Sequence, residues 1–188
     1  KIGLFIVLVI VALIGVITFN TFTNTADSPV VEVAQMSPVD ADAVSTRLSE
    51  AVRIRTISTG RDDLTAGAEF DRLHLLITSS FPLVHENLKR EVVGGHSLLY
   101  TWEGSDPALP AVLLMGHMDV VPVEPGTEGD WEEDAFSGAI KDGKIWGRGT
   151  LDDKLSVFAI LEAAELQLAQ GFAPKRTLYF AFGHDEEI

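Results

Sequence analysis

Three short clusters carry the residue types that metal-assisted hydrolysis needs. The first is Gly116-His117-Met118-Asp119, directly after the apolar run 111–115. Side chains two apart on an extended backbone point the same way, so Asp119 can accept the ring N–H of His117 that faces away from a metal. Such a carboxylate fixes the imidazole tautomer and raises its basicity. A surface or capping role is the plainer alternative for so short a pattern. The second cluster is Gly147-Arg148-Gly149-Thr150-Leu151-Asp152-Asp153-Lys154. Its Gly-x-Gly invites a phosphate-binding reading, but Asp152 stands where the third glycine belongs, and a carboxylate at a helix N-terminus repels pyrophosphate. Asp152 either caps the following helix or bridges two metal ions through its two oxygens. The third cluster, His184-Asp185-Glu186-Glu187, follows another apolar run. It is either a solvated loop or a set of acids neutralised by cations, in which one carboxylate ligates and its neighbour moves protons.

The elements between these clusters decide whether they can meet. Helical periodicity predicts a helix over 42–57, with Val44, Leu48, Ala51 and Val52 on one face. A second is predicted over 66–80, striped by Phe70, Leu73 and Ile77 and stopped by Pro82. Strand-like runs at 88–93 and 97–102 flank Gly94-Gly95 as a hairpin. The run 111–115 reads as a buried strand, 122–134 as a loop, and 144–146 as a short strand after the turn at Asp142-Gly143. The strongest helix spans 153–170, closed by Gly171 and Pro174, and 177–182 is the next strand. A strand, a helix of this length and a strand imply a right-handed crossover and a parallel or mixed sheet. Ligands of open α/β sheets gather at the carboxyl ends of strands, and each cluster follows a predicted strand.

Composition narrows the chemistry. With 28 acidic against 14 basic side chains the net charge is −14, which argues against a nucleic-acid partner. The absence of cysteine removes thiolate ligands and nucleophiles, so a metal would be held by histidine and carboxylates. A His-Glu-x-x-His helix, the mark of a thermolysin-like single-zinc site, is absent. Residues 1–19 form an apolar segment long enough for a transmembrane anchor, with a cleaved signal as its competitor. Residues 20–40 read as a stalk, and 41–188 as the domain that carries the chemistry. Lys1 alone precedes the apolar span and no Lys or Arg follows it before Arg47, so the positive-inside rule places the rest outside the cytoplasm. Export after signal cleavage, to the periplasm or the medium, is the alternative.

The clusters also carry a family pattern. Leu113 through Val123, Trp131, Phe136-Ser137-Gly138, Trp146 through Gly149, Leu151 through Lys154 and Gly183 through Ile188 resemble the aminoacylase/carboxypeptidase di-zinc metallopeptidases. The likeness is to the branch of carboxypeptidase S and the N-fatty-acyl-amino-acid hydrolases, and it covers about 43–188. Glu133-Asp134-Ala135, where relatives tend to have prolines, departs from the pattern. The resemblance implies an α/β fold with a mixed, largely parallel sheet, here truncated and preceded by one apolar helix. It implies two zinc ions (or cobalt or manganese) held by His117, Asp152 and Glu187, with Asp152 bridging. Asp119 would orient His117, Glu186 would be the general base, and Asp153 and Asp185 would have no ligand role. It further implies hydrolysis of an amide beside a free carboxylate, in a peptide or an N-acyl amino acid. A non-catalytic binding protein on the same fold is the alternative. A further acidic ligand, a distal histidine and a lid or dimerisation domain would lie beyond Ile188, with a homodimer formed through that lid, so the 188 residues alone are expected to be inactive.

Overall fold

The computed structural model describes residues 2–23, 38–58 and 64–188. It divides into two units, 1–38 and 39–188. In the first, helix α1 (Ile2–Thr23) has every side chain exposed and is long and apolar enough to cross a membrane. Most of the expected stalk, 24–37, lies outside the described residues.

The second unit is α/β. Helix α2 (Ala41–Val52) begins at Asp40, whose carboxylate accepts the N–H of Ala43 at 3.0 Å. The helix ends five residues before the predicted end at 57. At that end the Ala51 carbonyl in the last turn and the Ile54 carbonyl beyond it accept hydrogen bonds from the buried Lys154 Nζ at 2.9 and 2.6 Å, a long-range contact that helical periodicity does not register. Burial pushes the pKa of that ammonium down to about 7, against the charge of Glu69, which raises it. The chain then leaves the helix, and Ile57 pairs with Val120 in a parallel bridge.

Helix α3 (Leu64–Ser80) buries Phe70, Leu73 and Ile77 as its stripe predicts. Helix α3 ends before Pro82 as expected, and Pro82 also opens helix α4 (Pro82–Asn87) at its first turn, where a missing N–H costs nothing. The free N–H groups of Leu83 and Val84 donate to the Glu165 carboxylate at 3.0 and 2.9 Å. Glu165 lies on helix α5 (Lys154–Ala169), which α2 also grips through the bidentate Arg47–Glu162 pair, at 2.5 and 2.7 Å.

Strands β1 (Lys89–Val93), β2 (Ser97–Trp102), β3 (Val112–His117) and β6 (Leu178–Gly183) form one sheet in the order β1-β2-β6-β3. The pairs β1·β2 and β2·β6 are antiparallel, and β3·β6 is parallel. The sheet is mixed, as expected, with its parallel pair at the edge and the antiparallel pairings in the majority. Strand 144–146 does not feed that sheet: as β5 (Lys144–Trp146) it pairs with β4 (Ala139–Lys141), which periodicity missed, in a separate two-stranded ribbon. The parallel neighbour of β6 is therefore β3.

One face of the four-stranded sheet supplies Leu98, Tyr100, Trp102, Phe180 and Phe182 to a core shared with α2–α5. Strand β3 was expected to be buried, yet Leu113 and Met115 are 53% and 67% exposed. It is an edge strand, and these two side chains lie on the face that no described helix covers.

The glycines of Gly147-Arg148-Gly149 serve close packing. A Cβ at Gly147 would sit 2.4 Å from Val52 Cγ1, and at Gly149, where φ is +84°, 2.6 Å from Val120 Cγ1. Gly149→Ala is expected to destabilise the full-length protein by about 1–3 kcal/mol, read as a lower urea midpoint. An unchanged midpoint would mean that the loop yields at no cost.

Candidate metal centre

Strands β3 and β6 run parallel, with His117 opposite Gly183, and the Met118 N–H donates to the Gly183 carbonyl at 2.8 Å. The first and third clusters therefore leave the sheet side by side. The second arrives with the start of α5. Asp152 and Asp153 precede that helix, but the capping role falls away: Asp153, at the N-cap, makes no side-chain capping bond. Asp152 Oδ1 instead lies 2.9 Å from His117 Nε2, and Asp153 Oδ2 accepts the backbone N–H of His117 at 3.3 Å. The peptide joining the two aspartates is cis.

One ligand atom each from His117, Asp152 and Glu187 falls within 4.8 Å of the other two. These are the three residues expected as ligands, and an imidazole with two carboxylates is a donor set suited to zinc and its divalent neighbours. His117 is nearly buried, whereas the Asp152 and Glu186 side chains are 80% and 63% exposed. Glu186 Oε2 stands 3.7 Å from His117 Nε2, beside the donor group and outside it. His184 turns away, its Nδ1 2.6 Å from Ser97 Oγ on the hairpin, and Asp185 is exposed.

Asp119 is completely buried. Its Oδ1 is 3.3 Å from His117 Nδ1 and makes no hydrogen bond among the described residues, and its backbone carbonyl is 3.1 Å from the same nitrogen. Both contacts favour a proton on Nδ1 and leave Nε2, which faces Asp152 and Glu186, as the nitrogen that would give up its proton to a metal. Burial would raise the Asp119 pKa. Hydrogen bonds from Ser58 Oγ and from the backbone N–H groups of Glu187 and Glu186 outweigh it and hold the carboxyl below its ordinary range. Ser58 and Asp153 are the contributions that the sequence reading missed. Two adjacent acids could have suggested the second, whereas a serine in an irregular segment carries no such signal.

For His117, burial alone would lower the pKa, but the Asp152 hydrogen bond and the Asp119 charge raise it above 6.5. In the metal-free protein this pair stabilises the fold fully below that ordinary value, and the contribution is lost as the pH rises through the higher folded-state pKa. A metal competes with the proton on Nε2. Affinity of the full-length protein for a divalent ion is therefore expected to fall by about tenfold per pH unit below the folded-state pKa, as measured by competition titration. A flat titration between pH 5 and 8 would contradict it.

An imidazole and carboxylates thus gather where two parallel strands end, in an α/β domain whose donor group could hold a divalent ion. The family is also plain: residues 113–188 match Peptidase family M20/M25/M40, and the chain belongs to it. It is 42% identical over 189 residues to the Probable carboxypeptidase S-like 2 of Dictyostelium discoideum, covering 95% of this chain and 36% of that protein. To the N-fatty-acyl-amino acid synthase/hydrolase PM20D1 of Mus musculus it is 43% identical over 159 residues (82% and 30%). To carboxypeptidase S of Saccharomyces cerevisiae it is 43% identical over 148 residues (75% and 26%). The chain thus spans about a third of the length of these relatives. The crystal structure of human carnosine dipeptidase 1 has the same fold, with TM-score 0.63 and 25% identity over 78% of this chain and 32% of that one.

Proposed function

We propose that the full-length protein is a metal-dependent amidohydrolase that cuts an amide next to a free carboxylate, in a peptide or an N-acyl amino acid. The observation that carries this reading is the donor group of His117, Asp152 and Glu187 with the Glu186 carboxylate beside it. The names of the relatives, a carboxypeptidase and an N-fatty-acyl-amino acid hydrolase, support the substrate class. His117, Asp152 and Glu187 would hold the metal, taken as zinc. A divalent ion there supplies a Lewis acid that eases deprotonation of a water and polarises the amide carbonyl. Asp119 keeps the His117 ring in the tautomer that presents Nε2. Glu186, exposed and unengaged in the donor group, takes the water proton on its carboxylate and returns it to the leaving amine nitrogen. A binding protein would have no use for a base at that position. Helix α1 would anchor the enzyme, with the catalytic domain on the extracytoplasmic side.

The test uses full-length protein stripped of metal and titrated with zinc. Hydrolysis of an N-acyl amino acid and of a short peptide is compared with hydrolysis of the same compounds amidated at the carboxylate. Turnover is expected to return with zinc and to be lost on amidation. Turnover indifferent to chelation, in protein without bound metal, would overturn the reading.

A further inference from the structure

Asp119 is asked to do two things at once, and a third residue makes that feasible. Its Oδ1 lies 3.3 Å from His117 Nδ1, while its Oδ2 accepts the Glu187 backbone N–H at 3.0 Å and the Ser58 hydroxyl at 2.7 Å. The terminal torsion of an aspartate is broad and nearly two-fold, so a carboxylate with one donor can swing and exchange its oxygens. Two donors on Oδ2 from different directions remove that freedom and leave Oδ1 to the imidazole. The hydroxyl is itself held in place. Val120 N–H donates to the Thr56 carbonyl at 2.9 Å, Ser58 N–H to the Val120 carbonyl at 3.3 Å, and the Thr56 hydroxyl to the Met118 carbonyl at 2.6 Å. The segment after α2 is thus stitched to both sides of Asp119, and none of these bonds involves a ligand side chain.

We propose that Ser58 is a positioning residue of the site: its hydroxyl locks the Asp119 carboxylate in the one orientation that orients His117 and holds the Glu187 backbone together. The assignment rests on the metallohydrolase reading above. It separates Ser58 from residues that merely pack, because its effect should pass through Asp119 and through nothing else.

The experiment compares, in the full-length protein, Ser58→Ala, Ser58→Thr, Asp119→Ala and the double variant Ser58→Ala/Asp119→Ala, with Ser58→Gly as a second removal of the hydroxyl. Three quantities are measured: the zinc dissociation constant by competition, kcat at saturating zinc, and the thermal midpoint of the metal-free protein. Losing the hydroxyl is expected to weaken zinc binding by about tenfold, the low end of the cost of disturbing an outer partner of a ligand. Ser58→Thr keeps the donor and should stay near the unaltered protein. In the Asp119→Ala background the further loss of the hydroxyl should change zinc affinity no more. A lower thermal midpoint with unchanged zinc affinity would overturn the proposal, as would the same tenfold loss in both backgrounds. If the unaltered protein binds zinc and turns over while the Ser58 variants match it, only the Ser58 assignment fails. If the unaltered protein neither binds zinc nor hydrolyses amides, the metallohydrolase reading fails and takes the assignment with it.

Discussion

Replacing Glu186 by Gln in the full-length protein is expected to lower turnover by about 10²–10⁴-fold, the usual worth of a general acid–base group, while metal content stays near normal. The amide matches the carboxylate in size and cannot take up a proton at neutral pH. The Glu186 side chain is 63% exposed and stands outside the group of ligand atoms, so its charge is not needed to hold an ion. Its neighbour should behave in the opposite way: Glu187→Gln removes a donor and should lose metal and activity together. Metal analysis beside single-turnover rates distinguishes the two. Equal loss of metal from both variants would refute this division of labour between adjacent carboxylates.

Asp119→Ala is expected to weaken metal binding or activity by about 10–100-fold, although this side chain need never touch metal or substrate. The substitution frees the His117 Nδ1 side of its carboxylate partner and strands the Ser58 hydroxyl and the Glu187 backbone N–H, both of which donate to Asp119 Oδ2. Leaving a buried donor unpaired costs about 1–3 kcal/mol, so the unfolding midpoint of the metal-free protein should fall as well. Zinc titration and rate indistinguishable from the unaltered protein would remove Asp119 from the site.

Much of this site was legible in the sequence because its chemistry sits at strand ends, where apolar runs stop and polar clusters begin. The clusters around His117 and over 184–187 were found in that way, while the family resemblance singled out Glu186 and Glu187 within the latter; register shows that β3 and β6 end together. Asp152 was open between cap and ligand in the sequence, and its carboxylate lies beside His117 Nε2. The misreadings have physical causes. The predicted helix over 42–57 stops at Val52, and the carbonyls of Ala51 and Ile54 at and past its end bond Lys154, at least a hundred residues away, which no local periodicity shows. Pro82 ends the helix before it as expected, but the short helix it opens, whose free N–H groups find Glu165, was missed. An apolar run such as 111–115 shows that a strand favours cover, but not which neighbour provides it, and β3 lies at the sheet edge. Ser58 was invisible for the same reason: its role is defined by a partner 61 residues away.

The Asp119 carboxylate joins a hydroxyl 61 residues upstream to a backbone amide 68 residues downstream, and this fixes when in folding the site can exist. Contacts of such high sequence separation form only after large loops have closed, and they are the contacts that slow a chain down. No local unit of the fold, hairpin or helix pair, contains enough of the constellation to bind an ion selectively on its way to the native state. The metal site is a late product of topology, and an ion that prefers it acts on the folded population by mass action without guiding the chain there.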